Sequence, residues 1–199
     1  MNCARSIVQV TVAVIVIVGM EVPSLAIELR PTNAAIQSAI AKGKQATQEQ
    51  RQPDAFHITF GATDAVHPRG FLLTKLGSLS VMALHMAWRG AEPNQSDIEQ
   101  VINAPTMLVS TVIFGDTPSF AVDSYMVLEQ GAKTVKPATV RVDGVANRSA
   151  AWPNSPRFRA KVVAWFNYTD FDPTGDTAVL VFPAGGGEIR FALDFARIE

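Results

Sequence analysis

The residue types best suited to chemistry gather early in the chain. Asp54 and His57 stand three positions apart, and Asp64 and His67 repeat that spacing ten residues further on. Carboxylates and imidazoles are common ligands of divalent metals, and the same groups move protons in acid–base catalysis. Asp54, His57, Asp64 and His67 therefore make a candidate metal site, of the kind a metal-assisted hydrolase would use. In Phe56-His57-Ile58-Thr59-Phe60 the apolar residues alternate with polar ones, the period of a half-buried strand, which turns His57 away from the core side. His67, just before Pro68, falls in a loop, where sites often lie. The spacing matches no motif with a mechanical requirement, and polar residues about any strand and turn would look the same.

A second group is electrostatic. From Lys133 to Lys161 seven lysines and arginines face one acid, Asp143. If the two strands expected here are neighbours, Arg141, Arg159 and Lys161 share a face with Trp165, and Trp152 lies in the adjoining loop. Cations set among aromatic rings can hold an anionic glycan, a lipid headgroup or an acidic protein. The plainer reading is a solvated sheet face balanced by acids elsewhere.

Other signals point away from known chemistries. The sequence has no G-x-S-x-G elbow, no Walker-type phosphate loop and no H-E-x-x-H pair. Gly185-Gly186-Gly187 sits between two expected strands and reads as a hairpin turn rather than a phosphate cradle. Asp123 and Ser124 are adjacent on an expected strand, so they point to opposite faces and form no catalytic pair. His85 shares its helix with Val81 and Trp88, the setting of a histidine in or near a core. Sequons at Asn94, Asn147 and Asn167 matter only in a glycosylating host. No cofactor is expected apart from the divalent metal of the hydrolase reading.

The elements that must position these groups can be read from periodicity. Thr32 or Asn33 can cap a short helix carrying Ile36 and Ile40, and the polar run Lys44–Gln52 has little to bury, as in a linker or solvated helix. A first strand runs through Phe56–Phe60, followed by a loop with Gly61, Pro68 and Gly70. Leu72–Trp88 has helical spacing, and Ser96-Asp97-Ile98-Glu99 matches a capping box that opens a second helix. Period-two patterns then mark Thr106–Phe114, Phe120–Glu129, Ala138–Ala146, Phe158–Tyr168, Thr177–Pro183 and Glu188–Phe195. The expected fold is α+β and strand-rich: mostly antiparallel sheet, a β-sandwich of about seven strands with two helices inserted after the first strand. It resembles an immunoglobulin-type sandwich in rhythm alone, without the paired cysteines, and such likeness carries no function.

The chain has 199 residues and a formal net charge of −1, so it shows no global attraction to nucleic acid. Arg5, the apolar run Ile7–Met20 and small Ser24 and Ala26 match a secretory signal cleaved after Ala26. The run is short for a membrane anchor, and Cys3 precedes it, the wrong place for lipidation. Residues 1–26 are thus expected to be a cleaved signal peptide, 27–54 a polar lead-in, and 55–199 one β-rich domain. Cleavage removes the single cysteine, which excludes disulfides and thiolate zinc sites. The expectation is an exported protein of the periplasm or cell exterior with no stable membrane span: a non-enzymatic binding module, or alternatively the hydrolase, or a self-assembling structural subunit that pairs through a sheet edge.

Overall fold

The computed structural model describes residues 27–195 and Ile198; the expected signal peptide lies outside the described residues. The strongest alternation in the sequence gives the longest strand. Along Phe158–Asn167, Ala160, Val162, Ala164 and Phe166 are buried while Arg159 and Lys161 are exposed. Thr106–Gly115 is equally long and pairs with it over its whole length, from Thr106 opposite Asn167 to Gly115 opposite Phe158. Its Met107, Val109 and Ile113 face the same interior.

Ten strands are found among the described residues: β1 (Ile58–Gly61), β2 (Arg69–Leu73), β3 (Thr106–Gly115), β4 (Tyr125–Gln130), β5 (Lys133–Val135), β6 (Thr139–Val142), β7 (Asn147–Arg148), β8 (Phe158–Asn167), β9 (Asp176–Phe182) and β10 (Ile189–Asp194). They form two antiparallel sheets. The first has the order β1-β2-β3-β8-β6, with β7 also on β8, and the second β10-β9-β4-β5. One hydrophobic core takes Leu72, Val109 and Val162 from the first sheet and Met126, Leu128, Val179 and Phe191 from the second. The α+β, strand-rich class with mostly antiparallel sheet is as expected; β2, β5 and β7 are additional and short.

Among the described residues three α-helices accompany the sheets: α1 (Asn33–Gln48), α2 (Lys75–Ala87) and α3 (Gln95–Ile102). The helix pair α2–α3 follows the second strand, because Arg69–Leu73 pairs with both β1 and β3 instead of forming a loop. Gly70 disguised this strand. A Cβ there would lie 2.5 Å from the Phe60 ring and from the Ser110 carbonyl, so the residue is small because an aromatic ring covers it. Helix α2 then starts late, at Lys75, with the Thr74 hydroxyl accepting the Gly77 N–H. Helix α3 has its capping box two residues before the expected one: Asn94 caps it, and the Asn94 and Asp97 side chains exchange backbone hydrogen bonds at 3.0 Å. Since β2 and β3 are antiparallel neighbours, the excursion through α2 and α3 leaves and returns at one end of the first sheet.

The lead-in is more structured than its composition implies. Helix α1 runs through Gln48 and buries Ala39, Ile40, Gly43 and Ala46. It packs on α2 at small residues, where the Ser80 hydroxyl donates to the Ala39 carbonyl at 2.9 Å. The run beyond Gly43, with little to bury by sequence, thus still buries Ala46. Among the described residues no helix is long and apolar enough to cross a membrane.

Candidate functional site: the outer face of the first sheet

Directly paired residues of antiparallel strands project to the same face. With Ala160, Val162 and Ala164 inside, the opposite face of β8 presents Arg159, Lys161, Val163 and Trp165. Strand β6 sets Arg141 against Val163 and Thr139 against Trp165. The two strands are neighbours, so Arg141, Arg159, Lys161 and Trp165 do share one face. Arg141 holds its guanidinium carbon 5.6 Å from the Trp165 ring centre, within cation–π range.

Strands β3 and β2 extend this face. Phe114 lies opposite Arg159 and Val112 opposite Lys161; Arg69 lies opposite Val112 and Phe71 opposite Ser110. Arg69 sits 5.7 Å over the Phe114 ring and donates from Nη1 to the Asp64 carbonyl at 2.9 Å. Phe71, Phe114 and Trp165 are part-buried, while Arg141, Arg159 and Lys161 are exposed. The surface is therefore an aromatic floor carrying four cations. Sequence reading missed Arg69 and Phe71 because β2 looked like a loop, and Phe114, although on an expected strand, because alternation does not show that β3 lies beside β8. The alternation of Arg69, Phe71 and Leu73 with Gly70 and Leu72 was the signal available.

At the β7 end of the face, Val112, Asp143, Asn147, Arg159 and Lys161 line a pocket of about 350 Å³. Asp143 is fixed there by two backbone bonds: its Oδ2 accepts the Lys161 N–H at 2.9 Å, and its own N–H donates to the Lys161 carbonyl at 3.1 Å.

The four residues of the metal reading separate into two pairs. Asp54 belongs to a 3-10 turn (Pro53–Phe56) before β1, and His57 follows it. Asp64 and His67 lie beyond the other end of β1. There the His67 Nδ1 stands 2.8 Å from Asp64 Oδ2, and Asp64 Oδ1 accepts the N–H groups of Val66 and His67. The Val66 N–H foremost, then the His67 ring, holds the Asp64 carboxyl below the usual carboxylate range, so the pair closes a tight turn. Among the described residues no three His, Cys, Asp or Glu side chains stand together as a metal site.

His57 instead joins the aromatic floor. Its ring stacks on Phe71 at 3.9 Å between centres and 5° between planes. Burial pushes its pKa below the ordinary histidine value, against a smaller upward pull from Asp54, which favours the neutral imidazole. His85 is part-buried beside the exposed Trp88, 5.2 Å between ring centres. Asp123 and Ser124 precede β4 rather than belonging to it; Ser124 is buried and Asp123 has a left-handed φ of 62°.

No protein-family model matches the sequence, and no curated protein matches it.

Proposed function

We propose that the chain is an exported, non-enzymatic binding module whose partner is an anion held on the outer face of the first sheet. One observation carries the reading: Arg69, Arg141, Arg159 and Lys161 project from three neighbouring or near-neighbouring strands over Phe71, Phe114 and Trp165. Cations beside apolar ring surface are less hydrated than cations in open solvent, so an anion gains more on meeting them. The N-terminal pattern of Arg5, an apolar run and Ser24-Leu25-Ala26 supports export to the periplasm or cell exterior. The divergence of Asp54 and His57 from Asp64 and His67 removes support from the hydrolase alternative.

Reversing three charges tests the reading. Arg141→Glu, Arg159→Glu and Lys161→Glu together are expected to abolish retention on an immobilised polyanion. The wild type should be released progressively as salt screens the contact. Equal retention of the triple variant, with its circular dichroism unchanged, would sink the proposal.

A further inference from the structure

We infer that the pocket at the β7 end of this face takes an acidic sugar unit, a uronic acid within a glycan, an inference that rests on the anion-binding proposal above. Its lining is chemically mixed. Arg159 and Lys161 supply cations, yet Asp143 adds a carboxylate and Asn147 an amide. A bare anion such as phosphate or sulfate would gain from the two cations and be repelled by Asp143. A uronic acid satisfies every group: its carboxylate meets Arg159 and Lys161, and its hydroxyls donate to Asp143 and exchange hydrogen bonds with Asn147. One Asp143 oxygen already serves the Lys161 N–H, but a carboxylate has about four acceptor positions, so capacity remains.

The rest of the face suits the continuation of such a chain. From Lys161 to Trp165 along β8 is about 13 Å at the usual strand rise, the reach of a short oligosaccharide. Val163, Trp165 and the facing Leu108 offer part-buried apolar ground, where the C–H faces of sugar rings can rest. Thr139 and Arg141 border it on β6.

The same features weigh against a lipid bilayer on this face. Phe71, Phe114 and Trp165 are part-buried and have nothing to insert between acyl chains. The apolar residues that do protrude nearby, Val145 at 74% exposure and Trp152 at 40%, belong to the loops flanking β7, not to the face. Membrane binding through those loops is therefore the competing outcome.

Calorimetric titration of residues 27–199 with a small set of uronic-acid oligosaccharides (galacturonic, mannuronic and hyaluronan fragments), their methyl esters, and phosphatidylglycerol vesicles separates these cases. At least one acid oligosaccharide is expected to bind about tenfold or more tighter than its ester, and the Arg159→Gln/Lys161→Gln variant to lose about that factor. Asp143→Asn keeps an acceptor for the Lys161 N–H, so it should preserve the fold and its sign is informative. It is expected to weaken sugar binding severalfold, whereas removing a repulsive charge would strengthen binding of a simple anion. Stronger sugar binding by Asp143→Asn, or equal affinity for acid and ester, would overturn the inference. Vesicle binding without sugar binding overturns it too. If that vesicle binding depends on Arg159 and Lys161, the anion-binding proposal stands; if it depends on Val145 and Trp152 instead, that proposal falls as well. Binding of none of these anions removes both.

Discussion

A single imidazole illustrates how packing decides chemistry. His57 lies flat on Phe71, and half-burial there favours the uncharged ring. Its folded pKa therefore lies below the unfolded value near 6.5, and the unfolded state takes up the proton first as pH falls. The stability that this ring contributes is complete above about pH 6.5 and is lost downward through the folded pKa. Between about pH 7 and pH 5 the wild type is expected to lose more stability than His57→Gln in urea titrations. Parallel losses would show that burial does not govern this histidine. The residue types here were legible in the sequence, as was the turn of His57 away from the core. Its partner was not, because Phe71 lies on a strand concealed by Gly70.

At the scale of elements, two small residues set how closely helices approach. A Cβ on Gly43 would stand 2.3 Å from the Ser80 carbonyl oxygen and 2.8 Å from the Ala83 Cβ. Backbone cannot yield as a flexible side chain can, so α1 and α2 would have to separate. Gly43→Ala is expected to cost about 1–3 kcal/mol in urea denaturation despite its better helix propensity; a neutral or stabilising result would mean that α1 docks loosely. This contact also explains why a polar, low-hydropathy segment folds as part of the protein. Composition scores apolar bulk, whereas this interface works through the absence of bulk at Ala39, Gly43, Ser80 and Ala83. The strong alternation of β8 was readable residue by residue for the opposite reason: each buried position there is apolar and each cation is exposed. The Asn94 cap, two positions ahead of the expected Ser96, shows the limit of a motif when two good capping residues compete.

For the molecule as a whole, the two-sheet character was legible from the run of period-two segments, but the order of strands was not. Alternation tells which side of a strand is buried and nothing about its neighbour. The site depends on that missing information, since Arg141 meets Trp165 only because β6 lies beside β8. One core spans both sheets, and unfolding residues 27–199 with urea is expected to give a single transition with coincident midpoints by far-ultraviolet circular dichroism and tryptophan fluorescence. An earlier loss of helical signal would identify α1 and α2 as a separate unit. The pairing of β3 with β8 has a temporal consequence. Even its tightest link, Gly115 with Phe158, encloses everything from Asp116 to Arg157, and β4 likewise meets its partner β9 only across the intervening chain. Closing such long loops precedes any reward from the contacts they make. A chain emerging from its amino end can pair β1, β2 and β3 once Gly115 is out, but one edge of β3 stays open and the second sheet lacks β9 and β10 until most of the length has followed.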